Sequence, residues 1–268
     1  MTYKPYAAPV SGPRAKKRFG QHFLVDELVI QDIISAVAPL ESEHVVEIGP
    51  GTGVLTDALL RSGARIDAIE YDRDLIPVLA KKFNAYSNFR LFEGDALTFD
   101  YSSLNAAGNL LRVVGNLPYN ISTPLLFRFL EIRDSLSDLS LMLQKEVAAR
   151  IAATPGNADY GRLSVMLQAY FEVVELFDVE PSAFAPPPKV RSHVLQLVPR
   201  SRAATPTDFK QLEKLVALAF SQRRKMLRHT LGRQLSADIL GSSGISSQMR
   251  AEEVSVAQFV NLSNTTAG

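Results

Sequence analysis

An open α/β sheet with helices on both faces, followed by a small all-α unit, is the fold that the 268-residue sequence predicts. Three observations carry that expectation. Short apolar runs at 45–48, 66–69, 90–93 and 110–115 alternate with helical patterns, the rhythm of parallel strands joined by crossovers. The first run leads at once into Gly49-Pro50-Gly51-Thr52-Gly53, so strand, glycine turn and helix follow in order. Beyond 201–206, a linker by composition, apolar residues recur only at helical spacing. The expected division is a basic arm over 1–18, an α/β domain over 19–200 and a helical domain over 201–268.

Composition narrows the classes. The chain is 46% hydrophobic and 21% charged, enough for one sizeable core and a smaller appended unit. It has no cysteine, which excludes disulfides and thiolate metal sites, and its four histidines are too scattered for a zinc site. No metal is expected. No apolar run approaches a membrane span and the first residues lack a signal-peptide core, which points to a soluble cytoplasmic protein. With a net charge of +1, any nucleic-acid surface must come from local clusters of cations.

Taken in order, the first cluster is Arg14-Ala15-Lys16-Lys17-Arg18, suited to a phosphate backbone or simply a solvated tail. Asp26 reads as the N-cap of an amphipathic helix carrying Leu28, Ile30, Ile33, Ile34 and Val37. His22, just before it, can contact a ligand or cap a turn. In the glycine turn, Gly49, Gly51 and Gly53 allow a tight bend and a close approach by a ligand. The next strand ends in Glu70, a carboxylate suited to both hydroxyls of a ribose. A third strand runs into Gly94-Asp95-Ala96, where Asp95 can accept from an adenine amine.

Those features define a nucleoside site that a dinucleotide or S-adenosylmethionine could fill. The spacing Gly-x-Gly-x-Gly, with Val54 where a further glycine would serve a pyrophosphate, favours the methyl donor. Glu47 favours it too, because an acid beside the turn repels a pyrophosphate and tolerates a sulfonium.

The fourth strand delivers Asn116-Leu117-Pro118-Tyr119. Pro118 holds Leu117 extended, so the Leu117 carbonyl and the Asn116 side-chain amide can face one spot, with Tyr119 adding a flat ring. Paired acceptors beside an aromatic face suit a planar base with an exocyclic amine. A strand-ending turn with a half-buried tyrosine is the plainer alternative. Ser122 is placed to cap the following helix, with Pro124 in its first turn.

Further on, a strand is expected over 139–144 and helices over 146–153 and 161–174. Phe184-Ala185-Pro186-Pro187-Pro188-Lys189-Val190-Arg191-Ser192 is a rigid loop, either a second aromatic wall built on Phe184 or a solvent-facing connector. The apolar spacing of Leu212, Leu215, Val216, Ala219 and Phe220 is helical, and the basic run 222–229 is expected to continue that helix toward a phosphate partner.

These residues resemble the ribosomal RNA adenine dimethyltransferases over nearly the whole chain. The carriers are Phe19 to Leu24, Glu47 to Gly53, Asn116 to Ser122, Leu143 to Glu146, Tyr160 to Ser164, Phe184 to Ser192 and Gln222 to Lys225. The glycine turn is shared by many methyltransferases, whereas the proline loop and basic run are particular to this family and favour its small-subunit enzymes. The resemblance implies a Rossmann-like methyltransferase, its sheet mostly parallel with one antiparallel strand, plus the helical domain. It implies S-adenosylmethionine contacts at His22, Leu24, Gly49, Glu70, Asp95 and Asn116, with Gly51, Gly53 and Ala96 beside them. His22 stands where many members have asparagine.

The substrate so implied is a pair of adjacent adenosines in the 3′-terminal hairpin of 16S rRNA, within the immature 30S subunit. Each would be converted to N6,N6-dimethyladenosine by a monomeric enzyme. Asn116 and Leu117 would grip the amine, Tyr119 and Phe184 would sandwich the flipped base, and Lys16, Lys17, Arg18, Lys189, Arg223, Arg224, Lys225 and Arg228 would meet RNA. Three rivals follow from the same residues: an Erm-type enzyme of 23S rRNA, a non-catalytic RNA-binding assembly or transcription factor, and an NAD oxidoreductase, which leaves Asn116 to Tyr119 unexplained.

Overall fold

The computed structural model describes residues 15–16, 20–104, 110–202 and 205–267. Lys17 and Arg18 lie outside the described residues.

The glycine turn follows β2 (His44–Ile48) and opens α2 (Val54–Leu60), as the spacing predicts, and the rest of the sheet grows from that unit. Before it stand β1 (Phe23–Leu24) and α1 (Glu27–Val37), whose N-cap Asp26 accepts from the Leu28 and Val29 amides. After it come β3 (Arg65–Glu70), α3 (Ile76–Lys82), β4 (Phe89–Glu93), β5 (Leu111–Asn116), α4 (Ser122–Glu131) and β6 (Leu136–Gln144). Strands β4, β3, β2, β5 and β6 are neighbours in that order and pair in parallel. Their C-terminal ends therefore share one edge, the place where an open parallel sheet binds ligands.

Two strands extend the sheet beyond β6. The adjacent one, β9 (Ser192–Pro199), runs antiparallel to β6, pairing Gln144 with Ser192, and β7 (Phe171–Val179) lies outside it. Because β9 is reversed, its first residue arrives at the edge where the parallel strands end. A two-residue strand, β8 (Phe184–Ala185), pairs with β1 instead, setting Leu24 opposite Phe184.

One face of the sheet carries a single apolar cluster. Val45, Ile66, Val114, Met142 and Val194 meet Ile33 and Val37 of α1, Leu55 and Leu59 of α2 and Leu79 of α3. The N-terminal halves of the strands hold ion networks instead. Asp67, fully buried, takes Arg90 Nε on Oδ1 at 2.7 Å and His44 Nε2 on Oδ2 at 2.7 Å, and a second Arg90 nitrogen also reaches it. Arg112 similarly binds Asp138, Glu43 and the Val37 carbonyl. One end of the sheet is thus tied by charge, which leaves the other for chemistry.

By its internal contacts the chain forms two units, one running to Lys145 and including Glu175–Leu197, the other comprising Glu146–Val174 and everything from Val198. The boundary expected at 200 differs from this division, since 146–174 groups with the later helices. In that second unit are α5 (Lys145–Ala152, from its second residue on), α6 (Arg162–Tyr170), α7 (Phe209–Phe220), α8 (Ala237–Ser242) and α9 (Val256–Thr266). Tyr160, Phe220 and Phe259 pack ring to ring there at about 6 Å, and the Tyr160 hydroxyl donates to the Val254 carbonyl at 2.9 Å.

Three local expectations are corrected. The helix expected to reach Val174 ends at Tyr170, because Phe171, Val173 and Val174 are β-formers and the chain turns extended at Phe171, φ −124. The basic run does not prolong α7. No apolar residue follows Phe220 before Met226, so the helical stripe stops; Lys225 closes a turn on the Gln222 carbonyl, and Leu227, buried, bonds through its amide to the Met249 carbonyl. Ser122 is the first residue of α4 rather than its cap, and its hydroxyl bonds to the Tyr119 carbonyl at 3.3 Å.

Candidate functional site

At the shared strand edge the turn after β2, the ends of β3, β4 and β5, and the segment before α1 enclose two adjoining hollows of about 80 and about 330 Å³. Gln21, Gly49, Glu70 and Pro118 line both. His22, Leu24, Gly51 and Asn116 to Tyr119 line the smaller; Asp95 and Ala96 line the larger. Residues spread over nearly a hundred positions therefore face one crevice.

The turn explains much of its shape. Gly49 has φ +67, and a Cβ built there would meet nothing within 4 Å, so the backbone presents an open cradle to the crevice. Gly53 is glycine for the opposite reason: at φ +73, a Cβ would lie 2.6 Å from the Phe83 ring. It shapes the entry to α2 and lies on neither lining. Glu70 is buried and braces the turn, accepting the Gly51 amide at 3.2 Å and the Asp72 amide at 2.7 Å. Burial pushes its carboxyl above the usual range.

Glu47 sits behind the turn, 2% exposed, taking the Thr56 hydroxyl at 2.6 Å. Burial pushes it up to about 7; Glu70 adds to the rise, while Thr56 and Lys82 oppose it. Burial therefore draws this acid toward its neutral form, which makes it a weaker negative charge beside the turn than its residue type alone suggests.

At the end of β5, Asn116 donates through Nδ2 to the His22 carbonyl at 3.0 Å, which directs Oδ1 away from that anchor. The Leu117 amide bonds to the Met142 carbonyl, continuing the sheet one residue past the strand. Tyr119 is held at two points. Its hydroxyl bonds to Ser192 Oγ at 2.8 Å, and its ring stacks with the His22 imidazole at 5.6 Å, the planes 29° apart. The imidazole in turn bonds to the Pro186 carbonyl at 2.7 Å. Burial raises the Tyr119 phenol above its ordinary range, so it stays a neutral hydroxyl.

Other expected residues lie elsewhere. Phe184 is 3% exposed, packed in the apolar cluster opposite Leu24, and lines neither hollow; β8 pairing turns it inward, and His22 supplies the ring beside Tyr119 instead. Lys16 is ion-paired with Asp72 and Asp74 at 2.5 Å, so its charge is engaged within the protein. Lys189, Arg224, Lys225 and Arg228 are exposed, whereas Arg223 is tied to Glu252 at 3.0 Å.

Gln21, Tyr71 and Asp72, to which the sequence alone assigns no role, also line the larger hollow. Tyr71 was legible, being an aromatic side chain directly after the strand-end acid, 59% exposed. Among the described residues no group of three or more His, Cys, Asp or Glu could hold a metal ion.

A family model described as Ribosomal RNA adenine dimethylase matches residues 12–267. The chain is 51% identical over 255 residues to Ribosomal RNA small subunit methyltransferase A of Pseudomonas aeruginosa, covering 95% of each. Among solved structures, a dimethyladenosine transferase from Plasmodium falciparum is similar with a TM-score of 0.77 and 28% identity, over 90% of this chain and 96% of that one. The 23S rRNA methyltransferase ErmE follows at a TM-score of 0.70 and 25% identity, over 91% and 98%.

Proposed function

Because the chain belongs to the ribosomal RNA adenine dimethylase family, we propose that it dimethylates N6 of two adjacent adenosines in the 3′-terminal hairpin of 16S rRNA. The observation that carries this reading is Asn116, anchored by its amide nitrogen and leaving its oxygen for a substrate amine, on the same edge as Gly49, Glu70 and Asp95. The twofold higher identity to the small-subunit relative than to ErmE favours 16S over 23S rRNA.

The crevice fits S-adenosylmethionine. The open cradle at Gly49 admits a chain without a Cβ in the way, Glu70 and Asp95 offer acceptors for a ribose and an adenine amine, and Tyr71 offers a ring. When bound, the donor supplies a sulfonium methyl, whose C–S bond leaves its electron pair on sulfur as the N6 lone pair forms the new N–C bond.

An adenine amine is a poor nucleophile because its lone pair is delocalised into the ring. Asn116 Oδ1 and the Leu117 carbonyl would accept its two N–H groups and favour a pyramidal nitrogen. No strong base is required, since the displaced proton leaves an already cationic nitrogen. Alignment in the crevice can supply roughly 7–11 kcal/mol of the barrier reduction, and stacking on Tyr119 about 1–3 kcal/mol of base binding. Exposed Arg224, Lys225 and Arg228 would meet RNA phosphates, as would Lys189. The working form would be a monomer acting on immature 30S subunits in the cytoplasm.

Glu47 gives a pH test of the donor site. A cation bound beside it favours the ionised carboxylate, so binding expels the proton. Donor affinity is expected to rise between about pH 6 and 8, and Glu47→Gln to flatten that rise, as calorimetric titration with S-adenosylmethionine would measure.

The function itself is tested by offering undermethylated small subunits, large subunits and naked rRNA with labelled donor, then mapping modified bases by mass spectrometry. Dimethyladenosine at two neighbouring positions of 16S rRNA is expected. Label in the large subunit would transfer the chain to the Erm-type reading, and no transfer to any of the three together with no donor binding by calorimetry would support an assembly factor.

A further inference from the structure

Phe184 is buried, yet the loop it begins still reaches the acceptor side of the crevice, by two routes that meet on one ring. At the near end of the loop the Pro186 carbonyl holds the His22 imidazole, which stacks on Tyr119. At the far end Ser192, fully buried at the start of β9, holds the Tyr119 hydroxyl at 2.8 Å. Ser192 itself is fixed by strand pairing with Gln144, and the preceding Arg191 carbonyl takes the Lys145 amide at 3.0 Å. Between the two anchors lies the exposed Lys189.

We infer that Ser192 is a positioning residue for the second methyl transfer, acting through the phenol of Tyr119, and that the proline loop sets the plane of that ring. The inference rests on the proposed adenine N6 dimethylation. In the first round the base is held by two accepted N–H groups and a stack. Once one methyl is in place a single N–H remains, so the stack carries a larger share of the binding and of the alignment. A ring free to tilt therefore harms the second round more than the first. A tyrosine hydroxyl at the ring's tip, tied to a rigid strand end, prevents that tilt, whereas a phenylalanine would stack without being pinned.

The test measures monomethyl- and dimethyladenosine separately by mass spectrometry over time, with wild type, Ser192→Ala, Tyr119→Phe and the double variant. Ser192→Ala is expected to slow the second round relative to the first by roughly 3- to 10-fold, accumulating monomethyladenosine. Tyr119→Phe, which leaves the strand untouched, should give a similar ratio, and the double variant should add nothing further. Equal slowing of both rounds, an unchanged product ratio, or effects that multiply in the double variant would each overturn the assignment. Failure of the wild type to form dimethyladenosine would instead refute the underlying function, so the two outcomes stay separate.

Discussion

Asn116→Ala is expected to reduce both rounds of methylation by roughly 10²- to 10³-fold, the cost of removing one preorganised group aimed at developing charge. Two losses combine in that variant. The acceptor for an amine N–H disappears, and the His22 carbonyl loses the Nδ2 donor that it receives at 3.0 Å. The fold should survive, because Asn116 is the last residue of β5 and only half-buried, while Leu117 keeps its amide bond to Met142. Asn116→Asp separates the two losses. It retains an acceptor toward substrate but turns an oxygen toward the His22 carbonyl, so it should recover only part of the rate. Single-turnover methylation of undermethylated small subunits, with products resolved by mass spectrometry, is the measurement. Near-normal dimethylation by the alanine variant would remove Asn116 from the reaction.

At the opposite end of the strands, Asp67→Ala is expected to cost about 3 kcal/mol of stability, the lower part of the range for breaking a buried pair. The lower part applies because the Arg90 side chain is 45% exposed and its charge can turn to water, whereas Asp67 is fully enclosed. Burial alone would raise the Asp67 carboxyl; hydrogen bonds from Arg90 and His44 more than reverse this and hold it below the usual range. Its contribution is therefore present above the ordinary carboxylate value and is lost as pH falls through the lower, folded value. In thermal melts at neutral pH the variant should unfold roughly 6–12 °C early, and the gap should close in strong acid. A gap that stays constant down to acid pH would mean that packing, rather than charge, holds this corner.

How much of this was legible depends on whether the signal was local. The glycine turn, the strand-end acids and the Asp26 cap were readable because each is a short run whose conformation its own residues dictate. Asn116 was readable for the same reason, with Pro118 constraining the residue before it. The placement of Phe184 was not, since its burial follows from pairing with Leu24, about 160 residues earlier in the chain. The Tyr119 to Ser192 bond is equally non-local. The strand β7 was a different kind of omission: its valines and phenylalanines were visible, but the helical pattern before it was carried too far. The basic run after Phe220 misled because charge says little about backbone shape.

The reversed strand β9 has a practical consequence. Its connecting segment is held at both extremities, by Pro186 on one side and by the Arg191 carbonyl and Ser192 on the other, which leaves the exposed Pro187, Lys189 and Val190 as positions that can vary while the ends stay in place. Exchanging those three exposed residues is thus a route to altering which RNA the enzyme accepts without redesigning the sheet that makes the chemistry possible.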